Sequence, residues 1–179
     1  MPDSMYALIL AGGSGERFWP LSRRARPKQL LRLVSSKALL EETLARLEGL
    51  IPPARILILT NAEQENSVRK LLGNFPKENI LAEPTKRDTA AAIALGTGWV
   101  AVRDHAAIML VLPADHVITN RAAFQETVAL AADAADETSE LVTIGIKPTW
   151  ACPGFGYIEC GKTVRLRKRP ENEAIHRVV

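Results

Sequence analysis

Cysteine is scarce in this 179-residue chain: Cys152 and Cys160 are its two thiols, and no C-x-x-C spacing joins them. That pattern argues against both a zinc site and a disulfide scaffold. No apolar stretch approaches the roughly 20 residues needed to cross a bilayer, and no charged-then-apolar signal segment opens the chain. The expectation is a reduced, cytoplasmic setting with no membrane partner. Internal repeats and low-complexity segments are also missing. Charge of one sign is in little excess, since 23 Lys and Arg against 20 Asp and Glu leave a formal +3. Outside residues 162–169 the basic side chains do not gather into a stripe with aromatics, so no nucleic-acid partner is expected. That run itself reads as a solvated strand face.

What is present suits an ordinary folded domain. Hydrophobic residues make up 47% and charged residues 24% of the chain, and this length can bury a useful core. Apolar stretches at 6–10, 55–60 and 107–112 read as buried strands, 79–82 and 140–146 as further strands, with another at 156–160 and a strand-like end at 174–179. Helical patterns lie between them. A helix is read over 39–50, where Leu40, Leu44 and Leu47, with Ile51 just after, fall at spacings of four, three and four, and Pro52-Pro53 closes that helix. A polar amphipathic helix over 62–72 ends near Gly73-Asn74. An alanine-rich helix over 90–102 takes Asp88 or Thr89 as its cap and carries Trp99 toward the core. A fourth helix covers 121–135. Wholly apolar strands joined by helices imply an α/β, doubly wound, mostly parallel sheet with helices on both faces. Ligands bind beyond the carboxyl ends of such strands, and polar or glycine-rich punctuation follows four of them.

The first of these turns is the most informative. Leu10-Ala11-Gly12-Gly13-Ser14-Gly15-Glu16-Arg17 follows an apolar run. Its three glycines weaken a helix or strand but suit a loop whose backbone N–H groups converge on an anion. Arg17 and Lys28 add positive charge at the same strand end. A Walker A loop is excluded, because Gly-Lys does not stand at the required offset. A dinucleotide fingerprint is excluded because Phe18 occupies the place of its third glycine. A polyphosphate cradle remains.

Four blocks in order carry a closer likeness. They are residues 10–23 (LAGGSGERFWPLSR), Pro27-Lys28-Gln29-Leu30, residues 83–94 (EPTKRDTAAAIA) and residues 112–118 (LPADHVI). Together they resemble the sugar-1-phosphate nucleotidyltransferases, and within them the mannose-1-phosphate guanylyltransferase branch. The resemblance implies a Rossmann-like fold and magnesium-dependent transfer of a guanylyl group from GTP to a sugar 1-phosphate, most naturally mannose 1-phosphate, with release of pyrophosphate. By that likeness Leu10, Ala11, Gly12, Gly13, Ser14, Gly15 and Glu16 form the nucleotide loop. Arg17 would hold the β and γ phosphates, and Lys28 would neutralise the α or sugar phosphate. Asp115 would bind Mg²⁺. Glu83, Pro84, Thr89 and Ala90 would line the base and ribose pocket, with the Glu83 carboxylate accepting from the guanine edge. Gly154 and Gly156, in the segment from Pro148 to Glu159, would approach the sugar. His116 reads as structural rather than as a base, since a phosphate nucleophile needs no deprotonation. Arg23, Arg24 and Arg26 either shape the loop or are solvated.

Two departures from the family pattern stand out. Ala151 and Pro153 replace the Pro and Thr usual in the sugar loop, and Pro153 removes a donor. Family members also continue beyond Val179, with more sugar contacts and a second metal-binding Asp. The chain is therefore expected to be the N-terminal, nucleotide-binding part of a nucleotidyltransferase domain, and to bind nucleotide better than it catalyses. A non-catalytic nucleotide-binding or regulatory fragment is the competing expectation, as is transfer of another base or to another sugar phosphate. Oligomeric state is not legible, and a homo-oligomer is compatible with the sequence.

Overall fold

Four of the apolar runs become one parallel sheet. The computed structural model describes residues 4–13, 18–23, 26–85, 87–170 and 175–179. The strands are β1 (Met5–Leu10), β2 (Ile56–Asn61), β3 (Ile80–Glu83) and β4 (Ile108–Pro113), in the order β3-β2-β1-β4. Leu8 pairs with Leu57 on one side and Val111 on the other. Helices α1 (Leu39–Leu47), α2 (Glu65–Leu71) and α3 (Asp88–Ala101) join the strands in sequence, and α4 (Arg121–Thr138) follows β4. The chain forms two compact units, Ser4–Gln125 and Glu126–Val179.

Alternation along the strands gives the sheet of the first unit two apolar faces. On one, Leu8, Leu57 and Leu59 pack with Ala92 of α3, joined by Trp99, Ile93 and Met109. Trp99 meets Tyr6 edge-on at 6.1 Å. The alternating positions Ala7, Ile9 and Ile58 are equally buried, as are Leu39, Leu40 and Leu47 of α1. Connections from β1 lead toward β2, whereas the chain returns through α3 to β4 on the other side. The strand order therefore reverses between β1 and β4, which opens a crevice at their carboxyl ends.

Several element boundaries differ from the sequence expectation. Helix α1 stops at Leu47 rather than at the proline pair, because Gly49 takes a left-handed φ of +81° and turns the chain out. Helix α2 starts late because the Gln64 N–H is held by the Asn61 carbonyl and side chain in a turn. Neither Asp88 nor Thr89 caps α3. A capping residue sits in extended backbone just outside the helix, whereas Asp88 is the first helical residue at φ +58°, and Arg87 precedes it with no side-chain cap.

The larger corrections fall in the second unit. Residues 140–146 do not form a strand, and no strand begins at 156. Leu141, Ile144 and Ile146 are exposed in irregular backbone. An apolar run becomes a strand only beside a free edge that completes its ladder, and among the described residues none pairs with it. The strand beyond it is β5 (Cys160–Val164), antiparallel to β6 (Ile175–Val178). The basic run after β5 is not a free face either. Arg167, Lys168 and Arg169 pair with Glu137, Asp136 and Asp133 of α4. Asp133 is buried, which opposes its ionisation, yet its bond to Arg169 holds the carboxyl below the usual carboxylate range.

Candidate nucleotide site

A cavity of about 300 Å³ lies at the carboxyl ends of the four sheet strands. Leu10, Ala11, Gly12 and Gly13 line it from the end of β1 and the loop after it, Leu59 from β2, Glu83 from β3, and Pro113, Ala114 and Asp115 from the end of β4 and beyond. Lys28 and Gln29 enter from the long loop, and Asp88, Thr89 and Ala92 from the start of α3. Ser14, Gly15, Glu16 and Arg17, expected to complete the loop, lie outside the described residues, as do Arg24 and Lys86. Pro84 and Ala90 are exposed neighbours of the wall and do not line it. Gly154 and Gly156 belong to the second unit, on exposed backbone.

The glycine loop is tied down by its carbonyls. Leu10 accepts from the Ala114 N–H at 3.1 Å. Ala11 accepts from Gln29 Nε2 at 2.5 Å and from Thr60 Oγ1 at 3.3 Å. Gly12 accepts from Asn61 Nδ2 at 2.9 Å, and Gly13 from Gln64 Nε2 at 3.3 Å. Gln29, 1% exposed, also donates to Gln64 Oε1. A Cβ would crowd a side chain at Gly12 and make near-ordinary contact at Gly13. At Gly12 it would stand 3.0 Å from Glu83 Oε2, and at Gly13 3.4 Å from Lys28 Cε.

Lys28 opens a short 3-10 turn over Lys28–Leu30 that follows Pro27. Its ammonium donates to Asp115 Oδ2, and the two side chains are 26% and 20% exposed. Two opposite charges thus meet across the crevice between the β1 and β4 ends. Among the described residues no group of three or more His, Cys, Asp or Glu could hold a metal alone. A single carboxylate such as Asp115 would suit Mg²⁺, which keeps several waters and takes its other ligands from substrate phosphates.

Arg46 supports this side of the site from α1. Its Nη1 donates to the His116 carbonyl at 2.9 Å, one residue beyond Asp115, and its Nη2 donates to Thr43 at 2.8 Å. The guanidinium carbon lies over the Phe124 ring, 5.8 Å from its centre. Burial lowers its pKa and Glu42 opposes that, but an arginine stays charged at neutral pH. Arg46→Met should therefore lower stability by about 1–3 kcal/mol, through the carbonyl and hydroxyl left without a donor. Thermal melting checks this, and an unchanged midpoint would refute the role.

Sequence reasoning passed over Gln29, Asn61, Gln64 and Arg46. Gln29 stood in one of the four blocks without a role. The signal available for Asn61 and Gln64 was a pair of amides three residues apart directly after a strand.

The sequence pattern of one family, described as Nucleotidyl transferase, matches residues 6–178. The chain belongs to that family. A mannose-1-phosphate guanylyltransferase of Escherichia coli is 41% identical over 159 residues, which is 88% of this chain and 33% of that protein. The alginate biosynthesis protein AlgA of Pseudomonas aeruginosa is 39% identical over 166 residues, 90% of this chain and 34% of that one. A crystal structure from Thermus thermophilus, described as a mannose-1-phosphate geranyltransferase, superposes with a TM-score of 0.67 at 45% identity. The match covers 75% of this chain and 39% of that one. The chain spans about a third of the length of the curated relatives it matches. The parallel sheet with its helices agrees with the expected Rossmann-like architecture.

Proposed function

We propose that this chain supplies the nucleotide half of a mannose-1-phosphate guanylyltransferase, which joins GTP and mannose 1-phosphate into GDP-mannose and pyrophosphate. The observation that carries the reading is the crevice at the β1 and β4 ends, where Gly12, Gly13, Lys28, Glu83 and Asp115 meet. The relatives' names agree with it.

The reaction brings two anions together, so catalysis rests on alignment and charge. Gly12 and Gly13 let the backbone approach the triphosphate. Lys28 offsets charge on the phosphate under attack, and Arg17 is assigned the terminal phosphates. Asp115 would hold Mg²⁺, which supplies charge neutralisation of the phosphates when bound. Glu83, from the end of β3, would accept from the N1–H and 2-amino group of guanine, a pair of donors that adenine lacks. Thr89 adds a hydroxyl at the start of α3. Gly154 and Gly156 are assigned to the sugar.

Pyrophosphate release with GTP and a panel of sugar 1-phosphates, in a protein carrying this chain at the length of its relatives, tests the reading. Silence across the panel would reject it. Base choice has its own test. The chain should bind GTP in preference to ATP and UTP, and Glu83→Gln should reduce the GTP-to-ATP preference by about tenfold, the scale of one charge-assisted bond. Titration calorimetry of both proteins with both nucleotides reads this directly. An unchanged preference would move guanine recognition elsewhere.

A further inference from the structure

The turn between β2 and α2 reaches the glycine loop with two side-chain amides. Asn61 Nδ2 donates to the Gly12 carbonyl at 2.9 Å, and Gln64 Nε2 donates to the Gly13 carbonyl at 3.3 Å. The two donors brace each other, because Asn61 Oδ1 accepts the Gln64 backbone N–H at 2.9 Å. Gln64 is 6% exposed, and its Oε1 accepts from Gln29, which in turn holds the Ala11 carbonyl. Three successive carbonyls are thus fixed by side-chain amides. In a trans peptide the N–H points opposite to the carbonyl it shares a plane with. Holding the Ala11 and Gly12 carbonyls therefore fixes the directions of the Gly12 and Gly13 N–H groups. Glycine has no side chain to set its own backbone, so the loop's geometry has to come from such external partners.

We propose that Asn61 and Gln64 form a two-amide clamp that positions the backbone of Gly12 and Gly13 to receive a triphosphate. The clamp rests on the reading of this crevice as a nucleotide site. It acts through the loop and not by direct contact with the ligand, because both amides bond the loop carbonyls and neither lines the cavity wall. Preorganised N–H donors bind an anion with no ordering cost at the moment of binding. Loosening them therefore weakens triphosphate affinity while leaving base recognition at Glu83 intact.

The test is calorimetric titration of the 179-residue chain with GTP, tripolyphosphate and guanosine. Asn61→Ala and Gln64→Leu should each weaken GTP and tripolyphosphate by about tenfold, the loss expected for one ordered hydrogen bond and its slack, with guanosine unchanged. Asn79→Ala is the structural control. That buried amide bonds the Pro53 and Ala54 carbonyls, which precede β2, so its loss should lower the melting point and leave the ratio of GTP to guanosine affinity alone. If the clamp variants weaken all three ligands equally, or none, the clamp is overturned. If the unmutated chain binds neither GTP nor tripolyphosphate, the nucleotide reading falls and the clamp falls with it.

Discussion

Asp115→Ala should abolish the dependence of GTP binding on Mg²⁺. In the unmutated chain, chelating Mg²⁺ should weaken GTP by about tenfold or more, the scale of one lost divalent contact to the phosphates. In the variant the same chelation should change affinity less than about twofold. The structure adds a second, opposite expectation. Lys28 donates to Asp115, so the lysine's charge is engaged by that carboxylate. A nucleotide without metal must compete with Asp115 for the lysine and also meets the carboxylate's negative charge. Removing Asp115 lifts both penalties. The variant should therefore bind GTP more tightly than the unmutated chain when Mg²⁺ is absent, and more weakly when it is present. Lys28→Met should weaken GTP under both conditions, since it removes the attraction and leaves the carboxylate. Titrations with and without a chelator separate these cases. Full Mg²⁺ stimulation in Asp115→Ala would remove Asp115 from the metal's ligands.

The sheet was legible because burial on both faces writes itself into single stretches of sequence. Residues 6–10 and 55–60 are largely apolar, and a strand sandwiched between helix layers needs little else. The crevice followed from the same logic, since Gly12, Glu83 and Asp115 all stand at or just after the ends of such strands. Residues 140–146 show where this reading stops. They too carry a run of apolar residues, yet Leu141 and Ile146 stand exposed, because whether a run pairs depends on an edge contributed by other residues. Pairing between the loop after β5 and α4 was hidden for a related reason. Arg169 and Asp133 are 36 residues apart and share no local pattern. The clamp amides were missed because Asn61 and Gln64 are ordinary turn residues by composition. Their meaning comes from the loop that the parallel pairing of β1 and β2 lays beside them.

Gly96 should prove the residue of α3 least able to change. It faces the middle of the sheet, where an added Cβ would fall 2.5 Å from Leu8 Cδ2 and 3.0 Å from Cδ1. Leu8 cannot retreat, because it is fully buried among Leu57, Leu59 and Ala92. Alanine would gain about 1 kcal/mol in helix propensity over glycine, but overpacking a closed core costs about 1–3 kcal/mol or more. Against a trapped neighbour the second effect wins. Gly96→Ala should therefore be destabilising, and Gly96→Val more so, by about 3 kcal/mol, with a melting point roughly 6–12 °C lower. Gly98, two residues on, provides the contrast. It is exposed, and a Cβ added there would meet nothing within 4 Å. With no clash to oppose it, propensity alone acts, and Gly98→Ala should raise stability by up to about 1 kcal/mol. Opposite signs for one substitution at two sites in the same helix can be read by thermal melting. A Gly96→Ala chain that melts no lower than the unmutated one would mean that α3 does not press on Leu8 as described.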